Sequence, residues 1–84
     1  MDDRTPSVLQ VYARNIEHFA FRRGWSPARL ARELSITPHS LNRVRFVRNR
    51  YIDPDLFIAL MKTFSCEPND LLLPQPGVDY NIVI

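Results

Sequence analysis

Four side chains between residues 39 and 46 have the chemistry and the spacing to bind a nucleic acid. They lie at i, i+3, i+4 and i+7 of one helical face and are His39, Asn42, Arg43 and Phe46. Imidazole, carboxamide and guanidinium groups can all form hydrogen bonds with a base edge or a phosphate oxygen. Because three of the four side chains are polar, the pattern predicts an exposed face that binds a polar ligand through hydrogen bonds.

Two short helices joined by a tight turn should position this face. Ser26 and Pro27 begin one helix and Thr37 and Pro38 begin the next, each pair being an N-cap followed by a proline at the first helical position. Apolar residues at helical spacing should pack the two helices together. These residues are Leu30, Ala31, Leu34, Ile36, Leu41 and Val44. The pattern predicts a helix-turn-helix over residues 26–46.

This spacing resembles the helix-turn-helix of the phage-repressor and Cro-like family, also called the XRE family. A small residue stands where the two helices of that family cross, as Ala31 does here. The resemblance covers roughly residues 15–73 and implies an all-α, five-helix, lambda-repressor-like DNA-binding domain. Two positions depart from the family. Ser35 replaces the usual glycine of the turn, and Pro27 replaces a glutamine that braces the recognition helix and touches a phosphate.

The resemblance implies that the second helix enters the major groove of double-stranded DNA. The expected base-contacting residues are His39, Asn42 and Arg43. Arg43 suits guanine and Asn42 suits adenine, because each pair can form two hydrogen bonds. Phe46, one turn further along, has two interpretations, since it could contact a thymine methyl group or pack in the core.

The loop after this helix carries candidate contacts to the DNA backbone. The matching loop of the family lies along the phosphates, and no acidic residue occurs between residues 34 and 52. The expected backbone or flanking contacts are Ser40, Arg45, Arg48, Asn49 and Arg50. The alternative is a solvated loop with incidental charge. The loop is about one residue longer than in typical relatives and lacks their glycine.

Charge is distributed unevenly along the 84 residues, whose net charge is only +2. Residues 1–51 hold ten arginines and four acidic residues, for a net charge of +6. The remaining residues hold one lysine and five acidic residues, for a net charge of −4. The positive half contains the helix-turn-helix, which is where binding to a polyanion would require it. The basic residues are almost all arginine rather than lysine. High genomic GC content is an alternative explanation of this preference.

The flanking segments complete a five-helix domain over residues 1–74. The first helix should run from Pro6 to about Arg23, where Gly24 ends it. Asp53 and Pro54 should begin the fourth helix, and a short fifth helix should cover residues 67–72. Apolar residues recur at helical spacing in both long helices, so we expect one shared core.

Residues 75–84 form a different kind of segment, with apolar side chains at alternate positions. They are Val78, Tyr80, Ile82 and Ile84, which indicate a β-strand. A single strand is unstable alone in water, so we expect it to dimerise the protein by pairing with its copy or by lying on a neighbour's surface. Cro-like repressors include dimers made through a C-terminal strand. The alternative is a disordered terminus.

Several functional classes are disfavoured by what the sequence lacks. The single cysteine, Cys66, excludes an internal disulfide, and His18 and His39 stand on different elements, where they cannot assemble a zinc site with it. Neither a glycine-rich phosphate loop nor a recognisable catalytic triad is present. No signal peptide or membrane span is recognisable. We therefore expect a cytoplasmic protein with no enzymatic activity and no cofactor, and the resemblance to the phage-repressor family implies a bacterial or phage origin.

Together these features predict a homodimeric, sequence-specific DNA-binding transcriptional regulator, most simply a repressor, that binds a near-palindromic operator. An antirepressor or a toxin is a possible further partner. The rival hypothesis is a protein-interaction module or a toxin-binding antitoxin on the same fold, because a fold does not dictate a function. The arginine-rich helix and loop favour DNA.

Overall fold

Five helices in succession build the protein. The structure is a computed structural model that describes residues 7–80. The helices are α1 (Val8–Arg22), α2 (Pro27–Glu33), α3 (Pro38–Arg45), α4 (Pro54–Phe64) and α5 (Pro68–Leu72). The prediction of five helices is confirmed. None of the helices within residues 7–80 is both long enough and apolar enough to cross a membrane.

Side-chain caps fix where the helices begin. Ser26 Oγ accepts a hydrogen bond from Arg29 N at 3.2 Å, and Thr37 Oγ1 accepts one from Ser40 N at 3.1 Å. Proline follows the N-cap in α2, α3 and α4, as predicted, and also in α5. Helix α1 begins at Val8 rather than Pro6, because Ser7 Oγ accepts a hydrogen bond from Gln10 N at 3.1 Å. Each cap satisfies a backbone N–H that the helix leaves unpaired.

Left-handed residues end four of the helices, and only one of these residues is glycine. Gly24 follows α1 with φ 71°, whereas Ser35, Val47 and Ser65 take the same role after α2, α3 and α4 with φ 57°, 54° and 51°. After α2 the Ser35 and Ile36 amides donate to the Arg32 and Ala31 carbonyls at 3.1 and 3.0 Å. This pair of bonds closes the helix in the way a glycine normally would. The turn of the helix-turn-helix therefore keeps its geometry without its usual residue.

A single apolar core joins the helices. Helix α1 packs against α3 and α5, and α2 packs against α3. The fully buried apolar side chains of this core include Ile16, Leu30, Leu41, Leu60 and Leu71. Leu41 and Val44 bury one face of α3 in the core, so the opposite face of α3 is exposed to solvent.

A polar junction lies within this core, and we call it the α1–α5 junction. Asn15 on α1 is fully buried, and its Nδ2 donates to the carbonyls of Leu71 at 2.9 Å and Leu73 at 3.0 Å. Its Oδ1 accepts a hydrogen bond from the Tyr80 hydroxyl. The same hydroxyl accepts one from Gln75 N at 2.7 Å. One side chain thus satisfies the carbonyls at the end of α5 and also anchors the segment that follows it.

The tail corrects the prediction of a strand. Within residues 7–80 there is no β-strand, and residues 78–80 pair with no neighbouring strand. Tyr80, only 8% exposed, points into the core of its own chain, and its carbonyl accepts a hydrogen bond from Gln10 Nε2 at 2.7 Å. An aromatic ring and hydroxyl with partners in the same chain outweigh the alternating pattern. Ile82 and Ile84, the other half of the predicted strand, lie outside the described residues.

Candidate nucleic-acid interface

Helix α3 presents the polar face that its sequence predicts. His39, Ser40, Asn42 and Arg43 are all exposed, while Leu41 and Val44 on the other side are buried. The capping bond from Ser40 N to Thr37 Oγ1 fixes the first turn, and Thr37 Oγ1 also donates to Ser40 Oγ at 3.0 Å. The predicted base-contacting residues therefore share one surface of a helix that is held rigidly from beneath. We call His39, Asn42 and Arg43 the reading face.

Arg43 is aligned by the loop that follows its own helix. Its Nε donates to Asn49 Oδ1 at 3.0 Å. The backbone also folds back here, because Arg48 N donates to the Arg43 carbonyl at 2.8 Å and Val47 adopts a left-handed conformation. The terminal nitrogens of the Arg43 guanidinium are left to donate hydrogen bonds to a ligand. The loop thus brings a predicted base-contacting residue and a predicted backbone-contacting residue together.

Three predicted backbone contacts lie in this loop, and two of them are unpaired arginines. Arg48 and Arg50 are exposed, and neither forms an ion pair within residues 7–80. Asn49, the third, is half-buried beside Arg43. Exposed guanidinium groups without acidic partners produce a positive surface next to the reading face. Such a surface is suited to phosphate groups, which a planar guanidinium can bind through two hydrogen bonds.

Arg45 occupies a different position from the other predicted backbone contacts. Its side chain is only 22% exposed, and its Nε donates to Glu17 Oε1 of α1 at 3.2 Å. Its Nη1 donates to Asn42 Oδ1 at 3.2 Å. Arg45 therefore links α1 to the reading face and is less available to a phosphate than Arg48 or Arg50.

Phe46 lies at the surface rather than in the core. The residue is 37% exposed, and the Arg45 guanidinium lies 5.1 Å from the centroid of its ring. The residue caps α3 at its C-terminal end. Of the two interpretations of Phe46, the surface position favours contact with an apolar group outside the protein.

Two residues of this region were not singled out from the sequence. Glu17 accepts hydrogen bonds from Arg45 and, at 3.1 Å, from Arg14 Nη1, so one carboxylate orders two arginines. Asn15 holds α1 against the end of α5. The partners of Asn15 lie more than 50 residues along the chain, so its role has no local sequence signal. Glu17 and Arg14 at i and i−3 do give a helical pairing signal.

Potential metal ligands, the single cysteine and the single tryptophan are the other candidates for a chemical role. No cluster of three or more potential metal ligands occurs within residues 7–80. Cys66 is partly buried, and burial raises the pKa of its thiol, with Asp70 adding to the effect. A thiol with a raised pKa is less often in the reactive thiolate form. Trp25 is half-buried and packs against Phe64, with 5.8 Å between the ring centroids.

One solved structure resembles this fold over most of its length. The chain matches a crystal structure described as the hypothetical transcription factor NHTF from Neisseria, with a TM-score of 0.72 and 25% sequence identity. The match covers 81% of this chain and 77% of the other. No protein-family model and no curated protein matches the sequence. The chain therefore has a fold like that of a protein described as a transcription factor.

Proposed function

We propose that the protein is a sequence-specific, double-stranded DNA-binding transcriptional regulator of the phage-repressor and Cro-like kind, acting as a repressor in the cytoplasm. The observation that carries this proposal is the reading face of α3, exposed beside unpaired arginines in a chain segment without acidic residues. The similarity in fold to a hypothetical transcription factor supports it. Neither a metal ion nor a cofactor is needed for this activity.

Helix α3 would lie in the major groove, which is about 12 Å wide and admits an α-helix. Arg43 would bind the O6 and N7 atoms of a guanine, exchanging or sharing its bond to Asn49. Asn42 would bind an adenine, since a carboxamide oxygen can accept from Arg45 and from a base at the same time. Arg48 and Arg50 would bind phosphates, and Ser40 would contact the flank of the site.

We propose further that two copies bind a near-palindromic operator. Helix-turn-helix dimers place their reading helices about 34 Å apart, one turn of DNA. The dimer contact would be made by the apolar side chains of the tail, Val78, Ile82 and Ile84. Tyr80, also a predicted dimer residue, would instead anchor the base of the arm, because it is buried in its own chain.

Removing residues 81–84 tests the arm without removing its anchor. A chain ending at Tyr80 keeps the α1–α5 junction, so its unfolding midpoint in urea should match that of the full chain. Its sedimentation coefficient should fall from that of a dimer to that of a monomer. The matched control ends at Gly77 and removes Tyr80 as well, which should lower stability. An unchanged dimer in the chain ending at Tyr80 would disprove the arm.

The decisive test of DNA binding is a titration against two duplexes, one from the promoter region of the protein's own gene and one of random sequence, at several salt concentrations. We expect tighter binding to the promoter duplex, with log Kobs falling against log salt with a slope of several units, roughly 0.9 per phosphate contacted. Equal and weak binding to both duplexes would overturn the proposal.

A second candidate function is a protein-interaction module, including an antitoxin that binds a toxin or a repressor that binds an antirepressor. Phe21, which is 81% exposed on α1, favours it, because aromatic residues are enriched at protein interfaces. The two functions are compatible in one chain. Binding of the promoter duplex that survives the substitution Phe21→Ser would separate the DNA surface from any protein surface.

A further inference from the structure

A cleft of about 420 Å³ opens beside α1, and none of the three residues of the reading face lines it. The apolar residues of its lining include Phe21, Trp25 and Leu30. The charged residues of its lining include Arg14, Glu17 and Arg45. Its volume falls within the range of about 300–1,000 Å³ that small-molecule sites occupy. An apolar wall facing a few polar groups is the usual composition of such sites.

Three charged side chains of the lining are organised around one carboxylate. Glu17 accepts from Arg14 Nη1 at 3.1 Å through one oxygen and from Arg45 Nε at 3.2 Å through the other. The side chains of all three residues keep between 19% and 27% exposure, so solvent reaches them. The buried Nε of Arg14 has no hydrogen-bond partner within residues 7–80. The pairing of Arg14 is therefore incomplete, and because Nε is enclosed, a ligand would reach it only if the side chain shifted.

The balance of charge around the cleft favours an anion. Glu17 and Asp79 are the acidic residues that line it. Arg14 and Arg45 line it as well, and two more arginines stack on the ring of Trp25, with Arg23 at 5.3 Å and Arg29 at 5.1 Å from the ring centroid. The lining itself thus holds two guanidinium groups and two carboxylates, and the excess positive charge comes from the two arginines that stack on Trp25.

We propose that this cleft binds a small organic carboxylate with an aromatic or branched aliphatic body. The body would lie against Phe21, Trp25 and Leu30, and the carboxylate would accept hydrogen bonds from Arg14 and Arg45 in competition with Glu17. A charge-assisted pair with a guanidinium is about twice as strong as a neutral hydrogen bond, which makes the ionised acid the preferred ligand over its amide.

The same contacts connect the cleft to the reading face. Arg45 bridges Glu17 and Asn42, with 3.2 Å separating Arg45 Nη1 from Asn42 Oδ1. A ligand that draws Arg45 away from Glu17 would also change the partner of Asn42. Since Asn42 is a proposed base-contacting residue, occupancy of the cleft would weaken DNA binding. This second step rests on the proposed function, whereas binding of the ligand does not.

Trp25 provides the measurement, because it is the only tryptophan in the chain and lines the cleft. The probe is 3-phenylpropionate, titrated while the emission of Trp25 is recorded, and 3-phenylpropionamide is the neutral control. We expect a saturable change with the carboxylate and roughly tenfold weaker binding of the amide, because the amide loses the charge-assisted bonds. No saturable change, or equal binding of both probes, would overturn the proposal.

Two substitutions with opposite expected effects sharpen the test. Arg14→Gln should weaken binding of 3-phenylpropionate roughly tenfold, because it removes a donor to the carboxylate. Glu17→Gln should strengthen it, because it removes the competing negative charge, and a residue with only a structural role would not produce that gain. Arg48→Gln, far from the cleft, is the matched control and should leave the affinity unchanged. Loss of binding in both cleft variants would contradict the proposed competition.

The duplex titration then separates the two steps. Saturating 3-phenylpropionate should weaken binding to the promoter duplex in the native chain, and the effect should shrink in Arg14→Gln. If the ligand binds without changing DNA affinity, only the proposed link through Asn42 is overturned, and the proposed binding of the ligand stands. No DNA binding under any condition would overturn the proposed function, while the Trp25 titration would still decide the cleft. A Trp25 change that depends on protein concentration alone and vanishes when residues 81–84 are removed would assign the cleft to a second copy instead.

Discussion

The α1–α5 junction and the reading face are both polar, yet their hydrogen bonds serve opposite purposes. At the junction, Asn15 is fully buried and pairs both its oxygen and its nitrogen with groups of the same chain. On the reading face, Asn42 is exposed, and its oxygen accepts a hydrogen bond only from Arg45 among residues 7–80. The same residue type therefore holds the fold together in one place and is left partly available in the other.

Burial decides which role an asparagine plays. A carboxamide enclosed in the core must satisfy its donors and acceptors within the chain, since an unpaired buried polar group costs about 1–3 kcal/mol. A carboxamide on an exposed helix can exchange water for a base edge at little cost. The hydrogen bonds of the junction therefore stabilise the fold, whereas the side chains of the reading face contribute to binding.

The substitution Asn15→Ala should break the junction and produce the largest effect. It leaves the carbonyls of Leu71 and Leu73 and the Tyr80 hydroxyl without their shared partner, so we expect a loss of about 3 kcal/mol in the free energy of unfolding. Urea denaturation followed by circular dichroism measures this loss. Asn69→Ala, at an exposed asparagine of α5, is the matched control and should change stability by less than about 0.5 kcal/mol. Equal effects of the two substitutions would contradict the contrast.

The substitution Arg43→Ala should affect binding and leave stability almost unchanged. We expect a loss of about 1–3 kcal/mol on the cognate duplex and a relaxed preference at one base position. Competition binding against duplexes with single base changes measures both. Arg48→Ala is the control for a phosphate contact and should weaken binding to all duplexes alike while reducing the salt slope by about one. An equal loss for Arg43→Ala on every duplex would move Arg43 to the backbone contacts.

The reading face was predictable from the sequence because its signals are local. The caps at Ser26 and Thr37 and the positions of Leu41 and Val44 fix which side of α3 is exposed. All of these residues lie within one helical turn or two of those they position. The five helices followed from the same kind of evidence, although the start of α1 moved to a cap at Ser7 and Glu67, predicted as the first residue of α5, is its N-cap.

The junction and the tail were not predictable in the same way. The alternation of Val78 and Tyr80 indicates a strand, but Tyr80 finds its partner in Asn15, 65 residues earlier in the chain. A pairing at that distance leaves no periodic trace in the sequence. The bridge from Glu17 to Arg45, 28 residues apart, escaped prediction for the same reason. Contacts between distant segments decide whether an amphipathic terminus extends or folds inward.

The smallest predicted effect concerns the turn that leads into the reading face. Ser35 adopts φ 57°, a conformation that costs an L-residue about 1–2 kcal/mol and costs glycine almost nothing. Ser35→Gly should therefore stabilise the chain, but the greater flexibility of glycine in the unfolded state offsets about 0.5–1 kcal/mol of the gain. The net increase should be about 0.5 kcal/mol, which thermal unfolding would register as a rise of about 2–4 °C.

The substitution Ser26→Gly is the matched control, because Ser26 is also an exposed serine but has φ −73° and caps α2. Replacing this cap with glycine should lower stability by a few tenths of a kcal/mol. The opposite signs at two serines only nine positions apart would show that the backbone angle, and not the loss of a hydroxyl, controls the outcome. If both substitutions lower stability, the hydroxyl of Ser35 contributes more than the left-handed conformation costs, and the turn tolerates serine for that reason.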